Sequence, residues 1–244
     1  MNLKLAALIL LCASVGYAQQ TPAPPPTVEQ IMNKSIEALG GRAAIESLTS
    51  VVMTGTTEVV AYNSSGNTTT YAQAPDKFAI TTDFEGYGTV GHGYDGKTAW
   101  RADPQQGTSE LTGNRLADAR IEATFRGALR WKDLYPKAEV TGTDKVEGRD
   151  CWVVKLTPAQ GDPATRYYDT QTFLPAKMVF TGDTSQGPSE ITIEFSNYRD
   201  IGDGVKLPYT LKLTVPGVGD LVTTYQTIKY NVPIDAAKFA KPAQ

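Results

Sequence analysis

His92 is the only imidazole in this 244-residue sequence. A serine or cysteine nucleophile needs a base beside it, and that base is most often histidine. His92 stands in Gly91-His92-Gly93, which reads as a strand edge or corner, where the ring faces solvent or serves the fold. No Gly-x-Ser-x-Gly elbow occurs. One histidine with Cys12 and Cys151 falls short of a usual zinc ligand set. Asp83, Asp200 and Asp203 sit at turns, where a carboxylate normally bonds its own backbone. A pair of carboxylates for glycoside hydrolysis stays open, since distance in space is not legible from spacing along the chain. Gly40-Gly41 lacks the preceding strand and the following Lys-Ser/Thr of a phosphate loop, and no dinucleotide fingerprint is present. The residues point away from an enzyme, a metal site or a cofactor, and toward binding by apolar surface.

Composition agrees with that direction. The chain is 41% hydrophobic and 20% charged, with 23 basic against 26 acidic residues and a net charge of −3. That is ordinary globular composition without a basic run, so nucleic acid is not an expected partner. The first residues read as an export signal: Lys4, an apolar run from Leu5 to Val15, then Gly16-Tyr17-Ala18 with small residues at the positions a signal peptidase reads. Cleavage after Ala18 would leave 226 residues with a net charge of −4 (22 basic, 26 acidic). The rival is a lipoprotein signal lipidated at Cys12, but Leu11 stands where a small residue is expected. Loss of residues 1–18 leaves Cys151 alone and unable to form an internal disulfide, so it reads as a small buried side chain in a strand. Residues 19–26, rich in proline, read as a stiff spacer, and residues 27–244 as one folded domain.

The elements that hold this surface follow from periodicity. Thr27 and Gln30 have capping-box spacing, and Val28, Ile31, Ile36 and Leu39 give a helical apolar side that ends at Gly40-Gly41. A second short helix is expected near residues 42–48. From Ser50 the period becomes two. Val51, Met53, Val59 and Ala61 alternate against Val52, Thr54, Thr56 and Glu58, Phe78 and Ile80 share one side of a strand, and Tyr94-Asp95-Gly96-Lys97-Thr98-Ala99-Trp100 reads as a hairpin turning at Asp95-Gly96. Between residues 114 and 134 the β pattern stops. There Ile121, Phe125 and Leu129 make one helical stripe, with Asn114 as N-cap and Gly127 weakening the middle enough to allow two pieces. Such a segment is either ordinary core or a movable cover. Alternation then resumes through Trp152 and Val154, Ile193 and Phe195, and Leu211, with Glu147-Gly148-Arg149-Asp150 as a hairpin turn and residues 235–239 as a helical turn. Ten to twelve strands with regular turn spacing predict a mainly β (α+β) fold: one large curved antiparallel sheet with a few covering helices.

A curved sheet buried on one face needs no ligand, but one only partly closed by helices leaves a hollow. Each acyl CH₂ removed from water contributes about 0.8 kcal/mol, so a sixteen-carbon chain gains roughly 12 kcal/mol from such a shelter. The candidate lining residues are Met53, Phe78, Ile80, Trp100, Ile121 and Phe125 from the first half, and Leu129, Trp152, Val154, Ile193, Phe195 and Leu211 from the second.

The order of short motifs adds a resemblance. Ala38-Leu39-Gly40-Gly41, Ala74-Pro75-Asp76-Lys77-Phe78, the Tyr94 to Trp100 stretch, Tyr167-Tyr168-Asp169, Leu174-Pro175 and Asn197-Tyr198-Arg199-Asp200 are followed by Gly204-Val205-Lys206-Leu207-Pro208. This succession resembles the outer-membrane lipoprotein-sorting, LolA-like, superfamily over nearly all the chain beyond residue 26. The resemblance implies an unclosed β-barrel with helices at its mouth, a periplasmic location, and a lipid or lipoprotein acyl chain as cargo. A sensor or protein-binding module using the same concave face, with an envelope protein as partner and peripheral membrane contact, is the other implied reading. A lid arginine of such carriers would correspond to Arg126 or Arg130.

Overall fold

The computed structural model describes residues 24–184 and 187–242. The expected export signal, Cys12 and residues 19–23 of the spacer lie outside the described residues.

Thr27 opens the first helix as read from sequence. Its hydroxyl accepts from the Gln30 N–H at 3.2 Å, and the Gln30 side chain accepts from the Thr27 N–H at 2.8 Å, which satisfies two donors that a helix start otherwise leaves free. Helix α1 spans Val28–Ala38 and α2 spans Arg42–Ser47. Gly40 and Gly41 both have positive φ between them. A side chain at Gly40 would meet the Gly204 carbonyl, and the Leu39 carbonyl accepts from the Lys206 N–H at 3.0 Å. The glycine pair therefore lets the end of α1 dock on a turn far away in sequence.

Among the described residues thirteen strands follow, one more than the upper expectation: β1 Ser50–Val59, β2 Ser64–Gln73, β3 Lys77–Phe84, β4 Gly88–Tyr94, β5 Ala99–Asp103 and β6 Gly107–Glu110. Then come α3 (Gly113–Ala123), α4 (Trp131–Leu134), β7 Lys137–Val146, β8 Arg149–Thr157, β9 Ala164–Asp169, β10 Pro175–Thr184, β11 Gly187–Asp200, β12 Lys206–Val215 and β13 Gly219–Tyr230. They form one antiparallel sheet in the order 6-5-4-3-2-1-13-12-11-10-9-8-7. Two meanders meet at the β1–β13 pair and run outward from it. The free edges are β6 and β7, so the sheet is curved and unclosed, not a finished barrel. The segment 113–134 joins one free edge to the other, and this connectivity brings helices across the open side.

Three local expectations change. The loop of the β4–β5 hairpin runs from Asp95 to Thr98, because the Asp95 carboxylate accepts from the N–H groups of Lys97 and Thr98 at 2.8 and 2.7 Å and widens the turn. The tight two-residue turn is at Glu147-Gly148, both with positive φ, between the paired Val146 and Arg149. The stripe Ile121, Phe125, Leu129 is not on one helix. Thr124 is extended at the C-cap of α3, its hydroxyl donates back to the Arg120 carbonyl at 2.9 Å, and Phe125 and Leu129 lie beyond it. The N-cap is Thr112 rather than Asn114.

Candidate functional site

The two faces of the sheet are fixed by neighbours on β5. Ala99 packs with Ala119 and Ala123 of α3, and Phe78 packs against the same group. Trp100 packs with Ala79 and Phe239 near the C-terminus. Successive strand residues point to opposite faces, so Ala99 marks the concave, helix-bearing face and Trp100 the outer one. Trp100 is thus a correction to the expected lining. It is buried, and its indole N–H donates to the Phe239 carbonyl at 2.8 Å.

The registers carry the concave face across the sheet. Ile80 pairs with Thr70, Thr70 with Met53, and Met53 with Ile228. A second row reads Val140, Val154, Arg166, Met178, Ile193, Leu213, Leu221 and Val59, one residue from each strand from β7 through β13 to β1. Phe195 and Leu211 pair in the row beside it. At the β7–β9 end this face is sealed: Ile31 and Met32 of α1 and Tyr135 after α4 form a core with Val154, Leu156 and Tyr168, with Trp152 and Ile121 packed against it. At the β3–β5 end α3 seals it. Between the two seals, Met53, Met178, Ile193, Phe195, Leu211, Leu213 and Leu221 are only half-buried. Among the described residues no core cluster brings a helix onto β11, β12 or β13. The apolar surface is a half-open trough. Two open hollows among the described residues lie on the outer face instead, one of about 430 Å³ beside Trp100 and Lys238 and one of about 250 Å³ beside Asn67 and Asp83.

One part of the trough floor is hydroxylic, which alternation in the sequence did not reveal. Thr57 bonds Thr223 at 2.7 Å and Thr68 at 2.5 Å, and Thr68 bonds Thr82 at 2.8 Å, a ladder across four strands. Tyr225 reaches over Gly55 to bond Thr70 at 2.9 Å. Gly55 has to lack a side chain, because a Cβ there would meet the Thr224 carbonyl. Each buried hydroxyl has a partner, so the ladder is neutral and satisfied.

Charges sit mainly at the rims of the helical cover. Arg115 of α3 contacts Asp118, Asp162 and Asp183 at 3.2, 3.1 and 2.8 Å. His92 of β4 lies 3.1 Å from the Glu122 carboxylate of α3. Burial works against a charge on that imidazole, but Glu122 outweighs it and holds the His92 pKa above its ordinary value. Of the two arginines considered as lid contacts, Arg126 donates to the Leu48 carbonyl at 2.7 Å, while Arg130 is exposed and paired with Asp133. Asp200 accepts from its own neighbour, the Gly202 N–H, at 2.7 Å. Among the described residues no three His, Cys, Asp or Glu side chains converge as metal ligands.

No protein-family model and no curated protein matches the chain. Solved structures do match in fold. A DUF1329 family protein from Desulfovibrio piger aligns with a TM-score of 0.56 at 13% identity over 87% of this chain and 97% of that one. A crystal structure described as that of an outer membrane lipoprotein-sorting protein domain, from Vibrio parahaemolyticus, gives 0.55 at 14% over 86% and 96%. A LolA superfamily protein from Nitrosomonas europaea gives 0.54 at 15% over 89% and 99%. The fold is LolA-like.

Proposed function

We propose that the chain is a non-enzymatic binder or carrier of lipid or lipoprotein acyl chains, working in the periplasm after export. The observation that carries this reading is the half-buried apolar band between the two helical seals, centred on Ile193, Phe195, Leu211 and Leu213. A fully sealed sheet would have buried these side chains in its own core, and an ordinary solvent-facing sheet surface would have carried polar side chains at these positions. The band across β9 to β1 covers five strand spacings, roughly 24 Å. One leaflet of a bilayer core is about 15 Å deep, so an acyl chain fits along it. The solved structures described as a lipoprotein-sorting protein domain and a LolA superfamily protein share the fold and support the reading by analogy. Among the described residues no helix is long and apolar enough to cross a membrane.

The test is uptake of cis-parinaric acid methyl ester, an uncharged acyl probe, by the chain beginning at residue 19. The wild type takes it up with enhanced fluorescence, and Ile193→Asp, which places a charge in the band, weakens uptake at least tenfold while circular dichroism stays native. Equal uptake by the two proteins would contradict the assignment of the trough.

A further inference from the structure

The row of eight paired residues across the concave face contains one charge, Arg166 on β9. Its direct neighbours in register are Val154, which is fully buried, and Met178, which is half-buried. The guanidinium lies against the Tyr135 ring, 5.8 Å from its centroid, and is hydrogen-bonded to the Tyr168 phenol, a neutral partner that leaves its charge without a counterion. Among the described residues no carboxylate lies within ion-pair distance of it, although Arg115, Arg130 and Arg149 all have one. An arginine so placed stays charged. Burial opposes the charge, and the phenols of Tyr135 and Tyr168 outweigh that effect. A second donor nearby also lacks an acceptor. The indole N–H of Trp152, paired with Tyr168 one step along the same face, is buried without a hydrogen-bond partner among the described residues. A half-buried guanidinium without a carboxylate and a buried N–H without an acceptor face the same part of the trough, and one oxyanion would serve both.

We propose that Arg166, assisted by Trp152, anchors the anionic head of a single amphiphile whose acyl chain lies along the Met178–Ile193–Leu213 row. This rests on the acyl-binding reading and adds to it the class of ligand: an acyl chain that ends in a carboxylate or a phosphate. Arg166 sits where the helical seal over β8 and β9 gives way to the half-open strands, so the head tucks under the seal and the chain runs outward toward β13. The planar guanidinium offers paired donors to either oxyanion, which a lysine would not match.

The experiment compares cis-parinaric acid with its methyl ester on the same protein at about pH 8, well above the pKa of a carboxylic acid. The wild type binds the acid at least tenfold more tightly than the ester. Arg166→Met loses that preference and keeps ester binding, and Arg166→Lys retains only part of it. Equal binding of acid and ester by the wild type, or an unchanged preference in Arg166→Lys and Arg166→Met, overturns the anchor while leaving the acyl trough intact. Failure of the wild type to bind either probe overturns both. If Arg166→Met loses the ester as well and so does not fold, the wild-type preference and the partial loss in Arg166→Lys decide. Displacement of the bound acid by palmitate identifies a free fatty acid as the better ligand, and displacement by lysophosphatidic acid a phospholipid head; either supports the anchor. Displacement by inorganic phosphate alone at the same concentrations assigns the site to a free anion and overturns it.

Discussion

Cys151 illustrates what single residues contribute here. Its side chain is fully buried on β8 with Val146 and Ala176, and burial pushes its thiol pKa up, further from the reactive thiolate. A chain beginning at residue 19 should therefore show no reaction with Ellman's reagent under native conditions and one thiol per chain in denaturant. Rapid native labelling would mean that β8 opens readily. The buried structural role was legible from a lone cysteine in an alternating strand. Trp100 was not legible in the same way. Ala99 and Trp100 are adjacent and both buried, one under α3 and the other under Phe239. When both faces of a strand are covered, hydrophobicity does not say which side a residue takes. Arg166 escaped notice because Thr165-Arg166-Tyr167-Tyr168 carries no pattern in sequence. Its position appears only once the registers of β8, β9 and β10 are known.

At the scale of elements, α3 acts as a strap tied at both ends. Arg115 near its start holds carboxylates from the β8–β9 loop and β10, and Glu122 near its end holds His92 of β4. The second tie depends on pH. A histidine whose folded pKa is raised contributes stability that is fully present below its unfolded value of about 6.5 and is lost as pH rises through the higher folded value. The His92 side chain is 40% exposed, so solvent screens the tie and its loss should loosen the end of α3 without unfolding the sheet. Because the sequence has one histidine, its ring proton gives a single NMR resonance. That resonance should titrate above 6.5 in the wild type and at a lower pH in Glu122→Gln. An identical midpoint in the two proteins would remove Glu122 as the cause. The sequence announced helix in this region through its break in alternation. Where the helix stops was hidden, because Thr124 leaves helical geometry while the apolar spacing of Ile121, Phe125 and Leu129 continues past it.

For the whole molecule, the architecture follows from one topological fact: the two meanders join at β1 and β13, leaving β6 and β7 as distant edges that residues 113–134 must connect. Period-two alternation and turn residues made the antiparallel sheet legible, and Thr27, Gln30 and Gly40-Gly41 made α1 legible to its caps. The half-open band in the middle was less so, since alternating apolar residues look the same whether a helix lies on them or not. That band is the centre of the functional reading, and lipid carried through purification examines it most directly. Native mass spectrometry of the protein isolated from the cell envelope without detergent should show a population bearing one acyl lipid, released by organic extraction and much reduced in Ile193→Asp. A wild-type protein of bare polypeptide mass that stays bare after incubation with fatty acid or phospholipid vesicles would contradict the account.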